Sequence, residues 1–559
     1  MEIRRILLAF ALSALVLILW PKLFPPPQQQ QPPAPVPPAA TATAVPAAEA
    51  TAAPAAPPAE SPTPAPAPPV AVEPVQAAAE ETVVVEKPLY TARLTNRGGA
   101  LVSFALVEHR DARKEPLELV RKGDGFPGRT LVLAATDAFL GRAAGALFAV
   151  EREEAGEATL VRFRYREADG NGVVRTYRFG AGYVVGLTAE REGPATGPVG
   201  LVLGPSLGAP SADELKASFT KPGGTVVLRP DGKTDIRAKD GLKEALPIGA
   251  GAKAVGIEDN YFLTVFLPGP EATATLRPLT LKTPAGEEEK ESEVVLTAPG
   301  ALATEAFLGP KEPELLDTVR PGMGRLVDYG WFTVVAKPLL WTLRWIHGFA
   351  PNWGVAIILI TVLIKIVLFP LTYKQLVSMK RMSELQPKIE TIRAKWSPKL
   401  KSDPEARLKM NEELMGLYKT EGVNPAGGCV PLLLQMPILF AFYQMLAKAI
   451  ELRHAPFALW VQDLSAKDPY YVLPILMTVT MWLQQQMTPS TADATQKKIL
   501  AVMPFIFGFM FKDLPSGLTL YWLVQNVLTI LQQLLLNRFT DLGPATAKAG
   551  EAGKKRKKG

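Results

Sequence analysis

A lysine stands inside an otherwise unbroken apolar run. From Asn352 to Pro370 the chain reads NWGVAIILITVLIKIVLFP, and Lys365 is the only full charge well inside any stretch apolar enough to cross a bilayer. A lysine at the centre of a membrane helix costs about 2.5–3.5 kcal/mol on insertion scales, so its presence asks for a reason. One reason is snorkelling, since Lys365 lies nearer the end of the run that leads into a basic loop. The other is a water-filled cavity, and neighbouring polar residues favour it. Thr361 is one helical turn before Lys365 and shares its face. Gln435 and Gln444 lie in the next apolar stretch, Gln484, Gln485 and Gln486 in the following one, and Tyr521, Gln525 and Asn526 in the last. Any one of these amides is explained by a hydrogen bond to an adjacent helix. Together with a lysine, and on several helices, they predict a shared hydrated surface.

Other chemistries lack their residues. One cysteine, Cys429, excludes an intramolecular disulfide, and with three histidines in the chain it leaves little from which to build a Cys/His metal site. Cys429 follows Gly427-Gly428 at the start of an apolar run and reads as a small helix residue. No nucleophile elbow, phosphate loop or metal-ligand spacing is visible, so no catalytic residue, metal or cofactor is expected.

These polar residues need a bundle to hold them, and 559 residues are too many for one ordinary domain. Residues 1–24 carry Arg4-Arg5 before an apolar run from Ile6 to Trp20. No small-x-small cleavage site follows, which favours an uncleaved anchor over a removable signal peptide. Residues 25–80 are mostly Pro, Ala and Gln, a composition too poor in apolar side chains to offset ordering entropy, and read as a disordered linker. Residues 81–325 contain short alternating runs such as Val173 to Phe179 and Tyr183 to Thr188. Turn signals separate them at Asn96-Arg97-Gly98-Gly99, Asp169-Gly170-Asn171-Gly172 and Pro230-Asp231-Gly232, which predicts an all-β sandwich. Residues 326–351 hold Trp331, Trp341 and Trp345 beside Lys337 and Arg344, the make-up of an amphipathic helix lying in the membrane interface. His347 there reads as an interfacial or capping side chain.

The region 352–540 supplies five candidate spans, at about 354–373, 430–448, 470–487, 499–514 and 517–536, each near the length a bilayer requires. With the N-terminal anchor they make a polytopic α-helical membrane protein with an inserted β domain. Lysine and arginine set the orientation. The loop 374–427 and the tail 541–559, ending Lys554-Lys555-Arg556-Lys557-Lys558, are strongly basic and belong in the cytoplasm, as do Arg4 and Arg5. The β domain then faces the other side. The net charge of +7 fits an anionic membrane face or RNA. Within the loop, Met379, Met382, Leu385, Ile389, Ile392 and Trp396 recur every three or four residues. After breaks at Ser397-Pro398 and Asp403-Pro404, Leu408, Met410, Leu414 and Leu417 resume the pattern, predicting a helical hairpin. It is either a solvated connector or a receptor for nascent chains or ribosomal RNA.

On these residues the chain resembles the YidC/Oxa/Alb insertases, in the Gram-negative form with a large periplasmic domain. The matching stretches include Asn352 to Pro370, Leu385 to Ile389, Asn424 to Cys429, Pro431 to Ile438, Ala455 to Trp460, Asp468 to Pro474 and Pro515 to Leu518. Looser matches fall in the β region at Asn96 to Gly99 and Phe307 to Lys311. The resemblance implies a β-supersandwich periplasmic domain, a five-helix insertase core and a hydrophilic, positively charged groove. It implies no enzyme activity. The expected partners are nascent membrane proteins, the lipid bilayer, Sec translocon components, and the ribosome with the signal recognition particle receptor; the chain itself is expected to be a monomer. Lys365, Thr361, Gln435, Gln485, Tyr521 and Asn526 are the groove candidates. Met379, Met382 and Trp396 are candidates for client or ribosome contact on the hairpin, and Lys554, Lys555, Arg556, Lys557 and Lys558 of the tail for contact with the ribosome or the membrane surface. The family's groove charge is usually an arginine. Lys365 keeps the charge and loses the bidentate fork. A solute transporter and a purely structural assembly chaperone are the rival readings; the former predicts a pathway open to both sides.

Overall fold

The computed structural model describes residues 73–111, 114–123, 125–205, 207–208, 223–238, 240–282, 288–398, 405–422, 430–488 and 494–539. The expected anchor 1–24, most of the linker 25–80, Cys429 and the basic tail lie outside the described residues.

Alternating inward and outward side chains build the β region. In Gly172–Phe179, Val173, Arg175, Tyr177 and Phe179 are buried while Val174, Thr176 and Arg178 are less so, the period of a strand with one face on a core. The strands form two large antiparallel sheets. One has nine strands in the order Thr234–Ala238, Gly224–Leu228, Ala254–Glu258, Phe262–Leu267, Ala301–Pro310, Val184–Glu192, Gly172–Phe179, Ala158–Arg166 and Ala149–Ala155. The other has five, in the order Leu246–Ile248, Thr273–Lys282, Glu288–Pro299, Pro198–Leu203 and Val132–Leu133. Register is set by pairs such as Tyr177 with Leu187, Val185 with Ala306 and Leu201 with Leu296. The sheets pack face to face over Leu201, Leu203, Val226, Ile257, Leu276 and Leu296. A four-stranded sheet, Thr82–Glu86, Tyr90–Thr95, Ala100–Arg110 and Pro116–Glu118, precedes them. Two short helices, α1 (Ala138–Ala143) and α2 (Pro313–Val319), interrupt the all-β pattern.

One inward charge departs from the alternation. Arg175 is fully buried, and its guanidinium donates to the carbonyl oxygens of Gly98 and Leu131 and to the Tyr177 hydroxyl; Tyr177 in turn donates to Gly99 O at 2.7 Å. Such burial is tolerable because carbonyl dipoles replace water. It fastens the Asn96–Gly99 turn to the nine-stranded sheet. Gly98 has φ +65° and its missing Cβ would fall 2.4 Å from Ala144 O, so this approach requires glycine.

The helical region begins with α3 (Thr333–His347), which buries Ala336, Leu340, Leu343 and Ile346 and exposes Trp341 and Trp345 on its other face. His347 stacks flat on Trp353 at 3.8 Å between ring centres. Then come α4 (Trp353–Glu384), α5 (Gln386–Trp396), α6 (Ala406–Thr420), α7 (Val430–Lys448), α8 (Val472–Met487), α9 (Ala494–Phe511) and α10 (Ser516–Phe539). Asn352 starts α4: its side-chain oxygen accepts the Val355 N–H at 3.0 Å, as a helix cap does, while its amide donates to Phe457 O. Trp353–Ser378 and Ser516–Leu535 are long and apolar enough to cross a membrane, and Lys498–Phe511 is a shorter apolar helix. The first of these does not stop at 373. It continues as one helix through Met379 and Met382 to Glu384, and the hairpin proper starts at Gln386. Pro387 explains the break, because it lacks an N–H and its ring would strike the carbonyl one turn earlier.

The bundle's outer surface is apolar, and several polar side chains lie inside it among an otherwise apolar core. Ile366, Val367, Ile475, Val479, Phe505, Phe509, Leu531 and Leu534 are exposed, whereas Thr361, Tyr521, Asn526 and Gln533 are buried. A protein in water cannot present so continuous an apolar girdle, and lipid covers it without cost.

The β region meets the bundle through charge. Arg344 of α3 pairs with Glu314 of α2 and with Glu451, in the turn after α7. Arg453 donates to Arg110 O at 2.7 Å and lies over the Phe262 ring, 5.4 Å from its centre. His109 packs edge-on against the same ring at 5.5 Å. Burial, with Arg453 nearby, pushes the His109 imidazole down to about 4. Asp259 accepts the N–H groups of Tyr261 and Phe262, yet burial outweighs those bonds and pushes its carboxyl up to about 7.

Candidate functional site

Helix α10 packs against α4, α7 and α8, so its two faces can do different things. Tyr521, Gln525, Thr529 and Gln532, spaced four, four and three apart, line one face. Along that face runs a seam of hydrogen bonds. Gln435 of α7 donates to the Tyr521 hydroxyl at 2.9 Å and accepts from Gln525 at 3.1 Å. Phe442 stacks on the Tyr521 ring at 4.4 Å and fixes it. Lys365 of α4 donates to Thr529 Oγ1 at 2.9 Å, and Gln532 donates to Thr372 Oγ1 at 2.9 Å. The seam thus ties the last helix to two others through neutral dipoles and one ammonium group. Lys365 is half-buried, and no carboxylate pairs with it among the described residues. An ammonium held by one hydroxyl still has donors to offer, so the site can receive acceptors or an anion.

The other face of α10 forms a separate seam. Asn526 donates to Met477 O and Thr480 Oγ1, both at 3.3 Å, and Gln533 donates to Thr488 Oγ1 at 3.2 Å. Asn526 is therefore rotated away from Lys365 and toward α8, where half-buried Gln485 also stands. Thr361 is wholly buried, and its hydroxyl donates to Ile357 O at 2.6 Å within its own helix. Of the six groove candidates, the structure gathers Lys365, Gln435 and Tyr521 onto one seam, joined by Gln525 and Thr529. Sequence reasoning noticed Gln525 and missed Thr529. Its signal was the four-residue step from Gln525 on a face already marked by Tyr521.

On the hairpin, Leu385, Ile389 and Leu414 form a small core with Met382, Ile392, Met410 and Leu417 against it. Met382 thus serves the hairpin's own packing. Trp396 donates from its indole to Glu413 at 2.6 Å, and Lys395 pairs with the same carboxylate. Trp396 and Lys395 together hold the Glu413 carboxyl below the usual carboxylate range. Leu408 and Met415 are exposed. The Met379 side chain lies outside the described residues, as do Lys554, Lys555, Arg556, Lys557 and Lys558.

Comparison with known proteins gives this arrangement a family. The model of the 60Kd inner membrane protein family matches residues 345–543, and that of the YidC periplasmic domain matches residues 82–342. A membrane protein insertase YidC of Geobacter metallireducens is 37% identical over 548 residues, covering 96% of this chain and 98% of the relative. The chain belongs to the YidC family of membrane protein insertases. The corresponding protein of Geobacter sulfurreducens is 41% identical over 391 residues, 68% of this chain and 71% of its own. A crystal structure of an active YidC insertase with its first transmembrane domain resolved aligns at a TM-score of 0.36 and 20% identity, over 83% of this chain and 94% of that one. Family membership makes this an inner-membrane insertase with a periplasmic domain, not an enzyme, and sets aside the solute-transporter reading. The bilayer and membrane-protein clients are its working partners.

Proposed function

We propose that client segments enter the bilayer along the seam centred on Lys365, a positively charged hydrophilic groove between α4, α7 and α10. The observation that carries this reading is a half-buried ammonium with a hydroxyl partner and, among the described residues, no paired carboxylate, in a helix whose outer face is apolar. The polar flank of a client finds hydrogen-bonding groups partway into the membrane while its apolar segment stays in hydrocarbon. That lowers the barrier for a short hydrophilic tail, and the positive charge favours acidic tails. Burial of the client's apolar surface, at about 25 cal/mol per Å², supplies the driving force without nucleotide hydrolysis.

In this reading the chain has six spans, the anchor within 1–24 and five in 352–540, with both termini and the hairpin in the cytoplasm. The basic tail and the hairpin face the ribosome, and the protein acts alone or with the Sec translocon. Insertion of a Sec-independent client into proteoliposomes tests the core of it. Lys365→Ala should impair insertion and Lys365→Arg should work nearly normally, since electropositivity rather than guanidinium shape is what the groove uses here. Full activity of Lys365→Ala would remove the lysine from the mechanism for that client.

A further inference from the structure

We propose that Thr529 is the positioning residue that holds the Lys365 ammonium at the seam, with Gln525 fixing the direction of its hydroxyl; the proposal rests on the groove reading above. A threonine hydroxyl has one proton and two lone pairs. Thr529 lies 2.7 Å from Gln525 O, one turn earlier in α10, and its proton goes to that carbonyl. The lone pairs are then what the neighbouring helix meets, and Lys365 Nζ donates to them at 2.9 Å. The helix itself therefore sets the polarity of the hydroxyl, acceptor side toward the cation.

On α4 itself the alternatives for a flexible four-carbon side chain are poor. Thr361, one turn back on α4, spends its hydroxyl on Ile357 O and is fully buried. Ile366 and Val367, beside Lys365 on the outer face, are exposed to lipid. Without Thr529 the ammonium has reason to slide toward the headgroups. The support is braced from behind, because Gln525 is bonded to Gln435, and Gln435 to the stacked Tyr521. With one N–H given to Thr529, two remain to meet oxygens of an incoming tail.

The test uses the full chain in proteoliposomes and the initial insertion rate of a Sec-independent client with an acidic tail. Thr529→Val keeps the shape and removes the acceptor, and should slow insertion about 10- to 100-fold, the range for losing a hydrogen bond to a charged group. Thr529→Ser should restore the rate to within about twofold, because the acceptor returns. In a Lys365→Ala background Thr529→Val should add nothing. A full rate with Thr529→Val beside an impaired Lys365→Ala would overturn the positioning role and leave the groove reading standing. An equal loss from Thr529→Val with or without Lys365 would show that it acts on something else. A fully active Lys365→Ala would end both. As a readout independent of insertion, acylation of Lys365 by an amine reagent, followed by peptide mass spectrometry, should accelerate in Thr529→Val and not in Thr529→Ser; unchanged labelling in both would refute the positioning role.

Discussion

Replacing Arg344 by methionine should loosen the junction between the β region and the bundle, and the size of the effect follows from exposure. The guanidinium has two carboxylate partners of unequal worth. Glu451 is 17% exposed at its side chain and Arg344 is 25% exposed, so this pair is mostly out of water. Glu314 is 70% exposed, and its pair with Arg344 is solvated. Breaking a fully buried pair by removing one partner costs about 3–5 kcal/mol. Partial exposure discounts this to about 2 kcal/mol for Glu451, and the Glu314 arm adds under about 1 kcal/mol. Methionine keeps much of the length and apolar stem, so lost packing is not the cause. At about 2–4 °C per kcal/mol for a unit of 150–250 residues, Arg344→Met, at about 2–3 kcal/mol in all, should lower Tm by about 4–12 °C. Thermal unfolding of the detergent-solubilised chain, followed by tryptophan fluorescence, measures it, with Glu451→Gln and Glu314→Gln as companions. In a double-mutant cycle the Arg344–Glu451 coupling should exceed the Arg344–Glu314 coupling. Unchanged Tm in Arg344→Met, or equal couplings, would show that the junction rests on packing instead.

Two further outcomes are expected. His109 resists protonation down to about 4 instead of 6.5, so between those pH values the unfolded chain binds a proton that the folded one does not, and stability rises with pH. Asp259 keeps its proton up to about 7 instead of 3.8, so across that window stability falls as pH rises. The two slopes oppose each other around Phe262, and denaturant unfolding between these limits should therefore be nearly flat in the native chain, fall with rising pH in His109→Phe and rise in Asp259→Asn; either variant with the opposite sign would contradict the assignment. At the start of α4, a Cβ on Gly354 would lie 2.0 Å from the Phe457 ring. Gly354→Ala should cost about 1–3 kcal/mol by forcing the Phe457 loop aside, seen as lower Tm, and an unshifted Tm would mean the loop yields freely.

Elements set by local pattern were legible in the sequence, and elements set by pairing were not. The apolar run from Asn352 and the alternation in Val173–Phe179 each announced their structure. The sequence pattern separates an apolar stretch ending near 373 from an amphipathic helical stretch beginning at Met379, whereas the backbone runs through both as one helix to Glu384 and breaks only before Pro387. The nine-strand order was not readable, since it joins Phe262–Leu267 to Ala301–Pro310 and the latter to Val184–Glu192, far apart along the chain. Within the site, Lys365 identified itself as a lone charge in hydrocarbon. Its partner did not, because threonine in a membrane helix is common and satisfies itself on its own backbone, as Thr361 does.

Asn526 shows why counting polar residues is weaker than placing them. It is adjacent to Gln525, but one residue along an α-helix is about 100° of rotation, enough to send the two amides to different neighbours. Gln525 turns to Gln435 and the lysine seam, while Asn526 turns to Met477 and Thr480. The second seam is neutral, internally bonded and buried at Asn526 and Gln533, which is what holding α8 against α10 requires. The first contains the cation and leaves it half-buried with donors to spare. On the proposed groove, a client segment crossing the bilayer would gain from the first arrangement and would have to break the second. The division of α10 into a holding face and a proposed receiving face therefore makes a directional demand: polar substitutions that disturb the Asn526 side should lower stability before they slow insertion, and those on the Thr529 side should slow insertion first.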